Sequence, residues 1–284
     1  MKPKTVRIRS ENNAFQHVEV LKRNRAKRQR YGEFFVEGVT PLNRAIAYGW
    51  EMRTLIYSRA ERLSKWAQGV IERSTEATHL DLSPALMQRL SDKAQPSELL
   101  AVFGMAPDDL SRIQGRENLL VVVFDRPSNH GNLGTVIRSC DAYAVDGLIV
   151  TGYTVDLYDT RTIRASVGSL FCLPVVRLPS HKEVETWLGQ LRATCPDVQM
   201  VGTSAKAQQV VLDVDLAGPT VLAVGNETIG LSRRYRDLCD RMVRIPTPPG
   251  GAASSLNVAC ATSILLYEAD RQRREIFRKD KPVV

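Results

Sequence analysis

Six consecutive apolar residues, Leu119-Leu-Val-Val-Val-Phe124, constrain this chain most. A run with no polar residue to face water reads as a strand buried on both faces, the mark of a parallel sheet covered by helices. Further strand-like stretches fall at residues 147–150, 198–201, 220–224 and 242–245. Helical periodicity lies between them near 133–143, 181–194 and 231–238, and a last helix is predicted over 256–274. Strand and helix alternate, so residues 118–284 are predicted to form an α/β domain on a parallel sheet.

Residues 1–105 read as a smaller α/β unit. A basic helix reaches about Gly32, followed by a strand over 34–36, a helix over 41–48 with Pro41 in its first turn, a strand over 52–57, a helix over 61–73 and a strand over 97–103. Residues 106–117 are polar, contain Pro107 and Gly115, and are placed as the linker. No apolar stretch approaches the roughly 20 residues of a membrane span, and the first residues lack a signal-peptide core, so a cytoplasmic protein is expected. The five cysteines are widely spaced with no C-x-x-C pair, which argues against a disulfide framework or a zinc site.

The net charge of +8 is unevenly spread. Lys22, Arg23, Arg25, Lys27, Arg28 and Arg30 lie together with no carboxylate among them. Such a helix carries a strong positive field, and nucleic acid is its expected partner, with Arg23, Arg25, Lys27, Arg28 and Arg30 as candidate contacts. The plainer reading is a solvated helix face. A second cluster, Arg271, Arg273, Arg274, Arg278 and Lys279, reads as the polar end of a C-terminal helix.

Three polar segments follow strand-like runs: Asn129-His-Gly-Asn-Leu-Gly-Thr-Val-Ile-Arg138, Val224-Gly-Asn-Glu-Thr-Ile-Gly-Leu231 and Ser254-Ser-Leu-Asn-Val258. Open parallel sheets bind ligands at the carboxyl ends of their strands, so these segments form the candidate site. Several chemistries are disfavoured there. The chain has no G-x-G-x-x-G, no phosphate loop and no G-x-S-x-G, and only His130 of its four histidines lies in a candidate segment.

Asn132-Leu-Gly134-Thr-Val-Ile-Arg138, Gly225-Asn-Glu227-Thr-Ile-Gly230-Leu, and Ile245-Pro246 followed by Ser255-Leu-Asn257 resemble, in order, motifs 1, 2 and 3 of the SpoU (TrmH-like) branch of the SPOUT RNA methyltransferases. Gly32-Glu-Phe-Phe-Val-Glu-Gly38 with Thr54-Leu-Ile-Tyr-Ser58 is similar to the L30e-like substrate-binding domain of rRNA-directed members. Within the branch the chain is most similar to the avilamycin-resistance type of 23S rRNA 2′-O-methyltransferase. The resemblance implies a SPOUT domain with a deep trefoil knot, a homodimer with sites at the subunit interface, and S-adenosylmethionine (AdoMet) as cofactor. It further implies cofactor contacts from Gly202, Gly225, Ile245, Pro246 and Leu256. One departure is present: the family's Ile-Pro-Met-x-Gly appears as Ile245-Pro-Thr-Pro-Pro-Gly-Gly251, with Thr247 for Met and about two extra residues before Ser255.

The reaction so implied is methylation of an RNA ribose 2′-OH, expected on 23S rRNA. The family assigns activation of the hydroxyl to Arg138. A desolvated Arg138 acting as base and a charged Arg138 stabilising the developing alkoxide are both open, the second slightly favoured. Asn132, Glu227, Ser255 and Asn257 are implied to orient Arg138 and the ribose, with helix capping and loop stiffening as the plainer role of Asn132 and Glu227. A tRNA substrate and a non-catalytic RNA-binding module are the alternatives.

Overall fold

In the computed structural model, residues 3–248 and 255–279 are described, the side chains of 276–279 excepted. The chain divides into two compact units, one of Met1–Ala106 with Asp156–Cys172, the other of Pro107–Val155 with Leu173–Val284.

The first unit contains β1 (Thr5–Ile8), α1 (Asn13–Arg23), α2 (Arg25–Tyr31), β2 (Glu33–Glu37), α3 (Val39–Ala47), β3 (Met52–Tyr57), α4 (Lys65–Arg73), β4 (Thr78–Leu82), α5 (Pro84–Leu90) and β5 (Leu99–Gly104). Its sheet runs β1-β4-β3-β5-β2. Strands β1, β4 and β3 are parallel, and β5 is antiparallel to both β3 and β2. Alternation along β2 divides its two phenylalanines between the faces of the sheet. Phe35 joins a core of Ile8, Phe15, Leu21, Ile56, Leu80 and Val102, whereas Phe34 meets Trp50 and Phe103.

The predicted basic helix is two helices. Asn24 ends α1 in an extended conformation (φ −121°), and its side chain accepts a hydrogen bond from the Lys27 amide at 3.1 Å, capping α2. An N-cap residue with non-helical φ/ψ breaks the run and fixes a new helix direction.

The second unit opens with β6 (Leu120–Asp125), α6 (His130–Ala142) and β7 (Gly147–Thr151). The chain then forms α7 (Thr160–Ser166) and a 3-10 turn at Ser169–Phe171, both packed in the first unit. It returns through β8 (Val175–Leu178), α8 (His181–Thr194), β9 (Gln199–Thr203), β10 (Gln209–Val210), β11 (Thr220–Val224), α9 (Arg233–Leu238), β12 (Arg241–Arg244) and α10 (Val258–Lys279). All seven strands are parallel, in the order β10-β12-β9-β11-β6-β7-β8. Every residue of β6, β7 and β11 is buried, as their apolar runs require. One face packs Val121, Val123, Ile149, Val176 and Ala223 against Val184 and Leu188 of α8. On α6, Leu133, Val136, Ile137 and Cys140 are buried, and α10 packs beside it. Among the described residues no helix is long and apolar enough to cross a membrane.

Residues 156–172, which the sequence groups with 118–284, complete the first unit instead. Tyr158 meets Phe34 in a tilted arrangement and Phe171 stacks on it, at ring-centroid distances of 4.5 and 6.2 Å, and the Trp50 indole donates to the Phe171 carbonyl at 3.1 Å. Arg28 ties this segment down. Only 1% exposed, it donates through Nε to Asp156 at 2.8 Å, lies 3.5 Å from Asp159, and gives Nη1 to the carbonyls of Leu21 and Lys22 at 2.7 and 2.9 Å. Arg28 therefore leaves the set of nucleic-acid contacts. Its guanidinium is consumed by a buried carboxylate and two helix-end carbonyls and has no face for a phosphate.

Candidate active site

Strand order creates the site. The chain moves outward from β6 to β7 and β8, then crosses to β9 and lays β11 between β9 and β6. The direction of winding reverses between β6 and β11, and at such a switch point the loops after the two strands part to leave a crevice. The loop after β6 carries the first polar segment, the loop after β11 the second.

Glu227 joins these loops. One carboxylate oxygen accepts from the Ser128 amide and hydroxyl at 2.9 and 2.7 Å; the other accepts from the Asn129 amide at 3.0 Å and from Asn132 Nδ2 at 3.3 Å. Burial raises the pKa of this carboxyl, but the Ser128 hydroxyl, backbone amides and Asn132 outweigh burial and hold it below the usual carboxylate range. Asn129 caps α6 by accepting from the Asn132 amide at 3.0 Å. Asn132 then passes the connection to the third segment, since its Oδ1 accepts from Asn257 Nδ2 at 3.0 Å. Asn257 in turn caps α10, accepting from the Ala259 amide at 2.8 Å.

The loop after β11 is rigid for local reasons. Asn226 Oδ1 accepts from the amides of Thr228 and Ile229 at 2.9 and 3.1 Å, and its Nδ2 donates to the Arg126 carbonyl at 2.8 Å. A Cβ on Gly225 would lie 2.1 Å from the Leu231 nitrogen, so only glycine fits there. Arg126, left-handed at φ 53°, pairs through both arms with Asp125 at 2.9 Å and donates to the Gly230 carbonyl at 3.2 Å.

The structure brings Asn132, Glu227 and Asn257 into one hydrogen-bonded chain. It leaves the other two catalytic candidates apart. Ser255 is exposed and, among the described residues, outside the network, and Arg138 sits on the exposed stripe of α6 with Gly131, Thr135 and Ala142. Arg138 is six residues beyond Asn132, about 9 Å along the helix axis. Ser128, Asn129 and Asn226 are network members that motif matching passed over, although Ser and Asn ahead of an apolar-periodic stretch signal a helix cap.

The cofactor candidates gather at neighbouring strand ends. Gly202 is the last residue but one of β9, Gly225 follows β11, and Ile245 and Pro246 follow Arg244, the last paired residue of β12. Leu256 is 41% exposed. The space beside Gly202 is taken by Met242 Sδ and Cys239 Sγ, 2.5 and 2.6 Å from a Cβ placed there. Both glycines thus admit the chain's own atoms, and what they present at the strand ends is backbone. Residues 249–254, most of the lengthened loop, lie outside the described residues.

The basic candidates are dispersed. Arg23 and Arg30 are exposed and Arg25 and Lys27 half-buried, with Arg23 3.5 Å from Glu19 and Lys22 2.6 Å from Asp92. The C-terminal cluster is tied into the fold. Arg271 pairs with Glu268 at 2.7 Å and Arg274 with Asp270 at 2.7 Å, while Arg273 donates to the carbonyls of Asn118, Leu119, Leu216 and Gly218. The side chains of Arg278 and Lys279 lie outside the described residues.

Residues 119–267 match the SpoU rRNA Methylase family, and residues 12–101 the SpoU L30e-like domain. The 23S rRNA (uridine(2479)-2′-O)-methyltransferase of Streptomyces viridochromogenes is 46% identical over 272 residues, which cover 95% of this chain and 94% of that protein. The crystal structure of the SpoU methyltransferase AviRb from the same organism, in complex with the cofactor AdoMet, superposes with a TM-score of 0.85 at 46% identity, covering 93% of this chain and all of that one. An AdoMet-bound rRNA methyltransferase from Sinorhizobium meliloti superposes with a TM-score of 0.82 at 28% identity, over 94% of this chain and 98% of that one. The motif order, the Glu227 network at the switch point and these matches agree: the chain belongs to the SpoU rRNA methylase family.

Proposed function

We propose that the chain is an AdoMet-dependent RNA ribose 2′-O-methyltransferase that acts on 23S rRNA in the cytoplasm as a homodimer. The observation that carries this reading is the hydrogen-bonded chain from Glu227 through Asn132 to Asn257, which ties all three motifs together at the carboxyl edge of the sheet. The 46% identical relative is named for this reaction on 23S rRNA, and the matched AviRb crystal holds AdoMet. The L30e-like match at residues 12–101 supports the first unit as the rRNA-binding part, and the SPOUT knot belongs to the same reading.

The residues fit the cofactor. Adenosine offers an apolar face and a polar edge; Ile245, Pro246 and Leu256 supply apolar contact, and the ends of β9 and β11 supply backbone groups through Gly202 and Gly225. Bound AdoMet supplies an electrophilic methyl on a sulfonium. The chain's part is to hold a ribose hydroxyl in line with that methyl and to stabilise the oxygen as its proton departs. Asn132 and Asn257, fixed in orientation by Glu227, position the ribose beside Ser255. Arg138 is assigned as a cation stabilising the developing alkoxide, with the proton leaving to water or an RNA phosphate. That assignment needs two subunits, because within one chain Arg138 faces away from the network. Cys260, Ile264 and Tyr267 form an exposed, largely apolar stripe along α10, with exposed Leu256 just ahead of the helix, which supports pairing of this surface with a second copy.

Mapping ribose methylation on 23S rRNA treated with the purified enzyme and AdoMet tests the reading. One new 2′-O-methyl position is expected from an enzyme that sediments as a dimer. Methylation confined to tRNA, or none, refutes the substrate, and an active monomer refutes the two-subunit site.

The remaining cations of α1 and α2 give a graded expectation. Each phosphate neutralised contributes roughly 0.7 to 0.9 to the slope of log affinity against log salt. Replacing Arg23, Lys27 and Arg30 with Gln should flatten that slope by about two units and leave AdoMet binding unchanged. Binding curves at several salt concentrations measure it; an unchanged slope removes these residues from RNA recognition.

A further inference from the structure

The two most exposed large apolar side chains among the described residues stand on either side of the first motif. Tyr153, 94% exposed, lies in the loop after β7, and Ile229, 67% exposed, lies in the loop after β11. In the sheet β11 and β7 are the two neighbours of β6, so these loops flank the segment that carries Ser128, Asn129 and Asn132. Two inter-strand spacings amount to about 10 Å, a span on the scale of one nucleotide.

Tyr153 rises from a fixed base. Gly152 donates its amide to the Leu178 carbonyl at 3.0 Å, and Val155 donates to the Pro127 carbonyl at 3.0 Å, which fastens the loop directly to the motif-1 loop. Thr151 and Thr154 are buried on either side. The ring alone points into solvent while its neighbours pack. Leaving an aromatic ring in water forgoes the large apolar burial that such side chains normally supply. The flanking residues, Gly152 and Thr154, offer no broad apolar surface, so the ring does not read as part of a protein interface. An isolated aromatic with both faces open, on a rigid loop, suits a single flat ligand. Unpaired RNA bases are read in this way, splayed out and stacked on aromatic side chains.

We propose that the Tyr153 ring stacks on an unpaired base of the RNA substrate at or next to the nucleotide whose ribose is methylated. This inference rests on the RNA methyltransferase reading and makes Tyr153 a positioning residue. The ring holds the base while the Asn132 and Asn257 amides meet the sugar.

The test uses the full-length enzyme and a 23S rRNA transcript, with Tyr153→Ala, Tyr153→Leu and Tyr153→Trp. Loss of stacking under one base weakens RNA affinity by about 5- to 150-fold, so Ala and Leu should fall in that range and Trp should stay near wild type. KM for RNA should rise while the rate at saturating RNA, the AdoMet affinity and the melting temperature hold. Filter binding reads the affinity without turnover, so an inactive wild-type enzyme would refute the proposed activity while Tyr153 is still scored. Wild-type affinity in the Ala variant overturns the inference. So does full retention by Leu, which would mean contact without stacking, or a shift to monomer in Ala, which would place the ring against a second copy.

Discussion

Arg138→Ala should lower the methylation rate at saturating RNA by about 100-fold or more, the scale of removing one preorganised group that stabilises developing charge. The expectation is this large because the cation is asked to act only as the alkoxide forms; binding in the ground state owes it little. AdoMet affinity should be nearly unchanged, since the cofactor candidates sit at the ends of β9, β11 and β12 and not on α6. The fold should survive as well, because Arg138 is exposed on α6 and is not among the helix's buried residues. Single-turnover methylation and calorimetric AdoMet titration of the same preparation separate these effects. Near-wild-type turnover would refute the assignment and return Arg138 to the solvated surface of its helix.

The second large effect is on stability. Arg28→Ala should cost the first unit about 3 to 5 kcal/mol, because breaking a buried pair leaves Asp156, itself only 4% exposed, charged and without its main partner. The Leu21 and Lys22 carbonyls lose their donor too. For a unit of this size the melting temperature should fall by on the order of 10 °C. Arg28→Met combined with Asp156→Leu should recover part of the loss, since it removes the uncompensated buried charge but leaves the Leu21 and Lys22 carbonyls and the Tyr158 amide without these partners. A thermal melt of Arg28→Ala that matches wild type would show that the pair carries no stability. The same change at exposed Arg23 should move the melt little, because surface ion pairs contribute at most about 1 kcal/mol.

The contrast between those two arginines marks where sequence stops being sufficient. Both lie in one run of cations, and only the third dimension tells that Arg28 faces Asp156, 128 residues away. The apolar strands β6, β7 and β11 were legible because continuous burial leaves no room for polar residues. Strand β4 was not: Thr-His-Leu-Asp-Leu buries His79 and Asp81, whose polar atoms meet Tyr57, the Ser74 carbonyl and Arg9. Satisfied polar groups inside a sheet erase the pattern that reveals it. Strands β1 and β8 are four residues each at sheet edges, and α5 and α7 seven each, too short for periodicity to register. The three site motifs could be read in order, yet the carboxylate that links them gave no sign of its partners, since Ser128 and Glu227 are 99 residues apart. Nor did the motif show that Arg138, only six residues beyond Asn132, falls on the exposed stripe of α6.

The membership of residues 156–172 in the first unit has a consequence for how the chain is made. Synthesis is vectorial, and an N-terminal domain ordinarily finishes folding before its successor emerges. Here Phe34 and Trp50 must wait for Tyr158 and Phe171, and Arg28 for Asp156. At 5 to 20 residues per second the intervening stretch from 107 to 155 takes roughly 3 to 10 seconds to translate. Throughout that interval the nascent first unit holds an unfilled aromatic site and an unneutralised arginine. A ribosome paused between codons 106 and 156, or a gene cut at that point for recombinant expression, leaves the same unfinished hydrophobic face open to chaperones, proteases or another nascent chain.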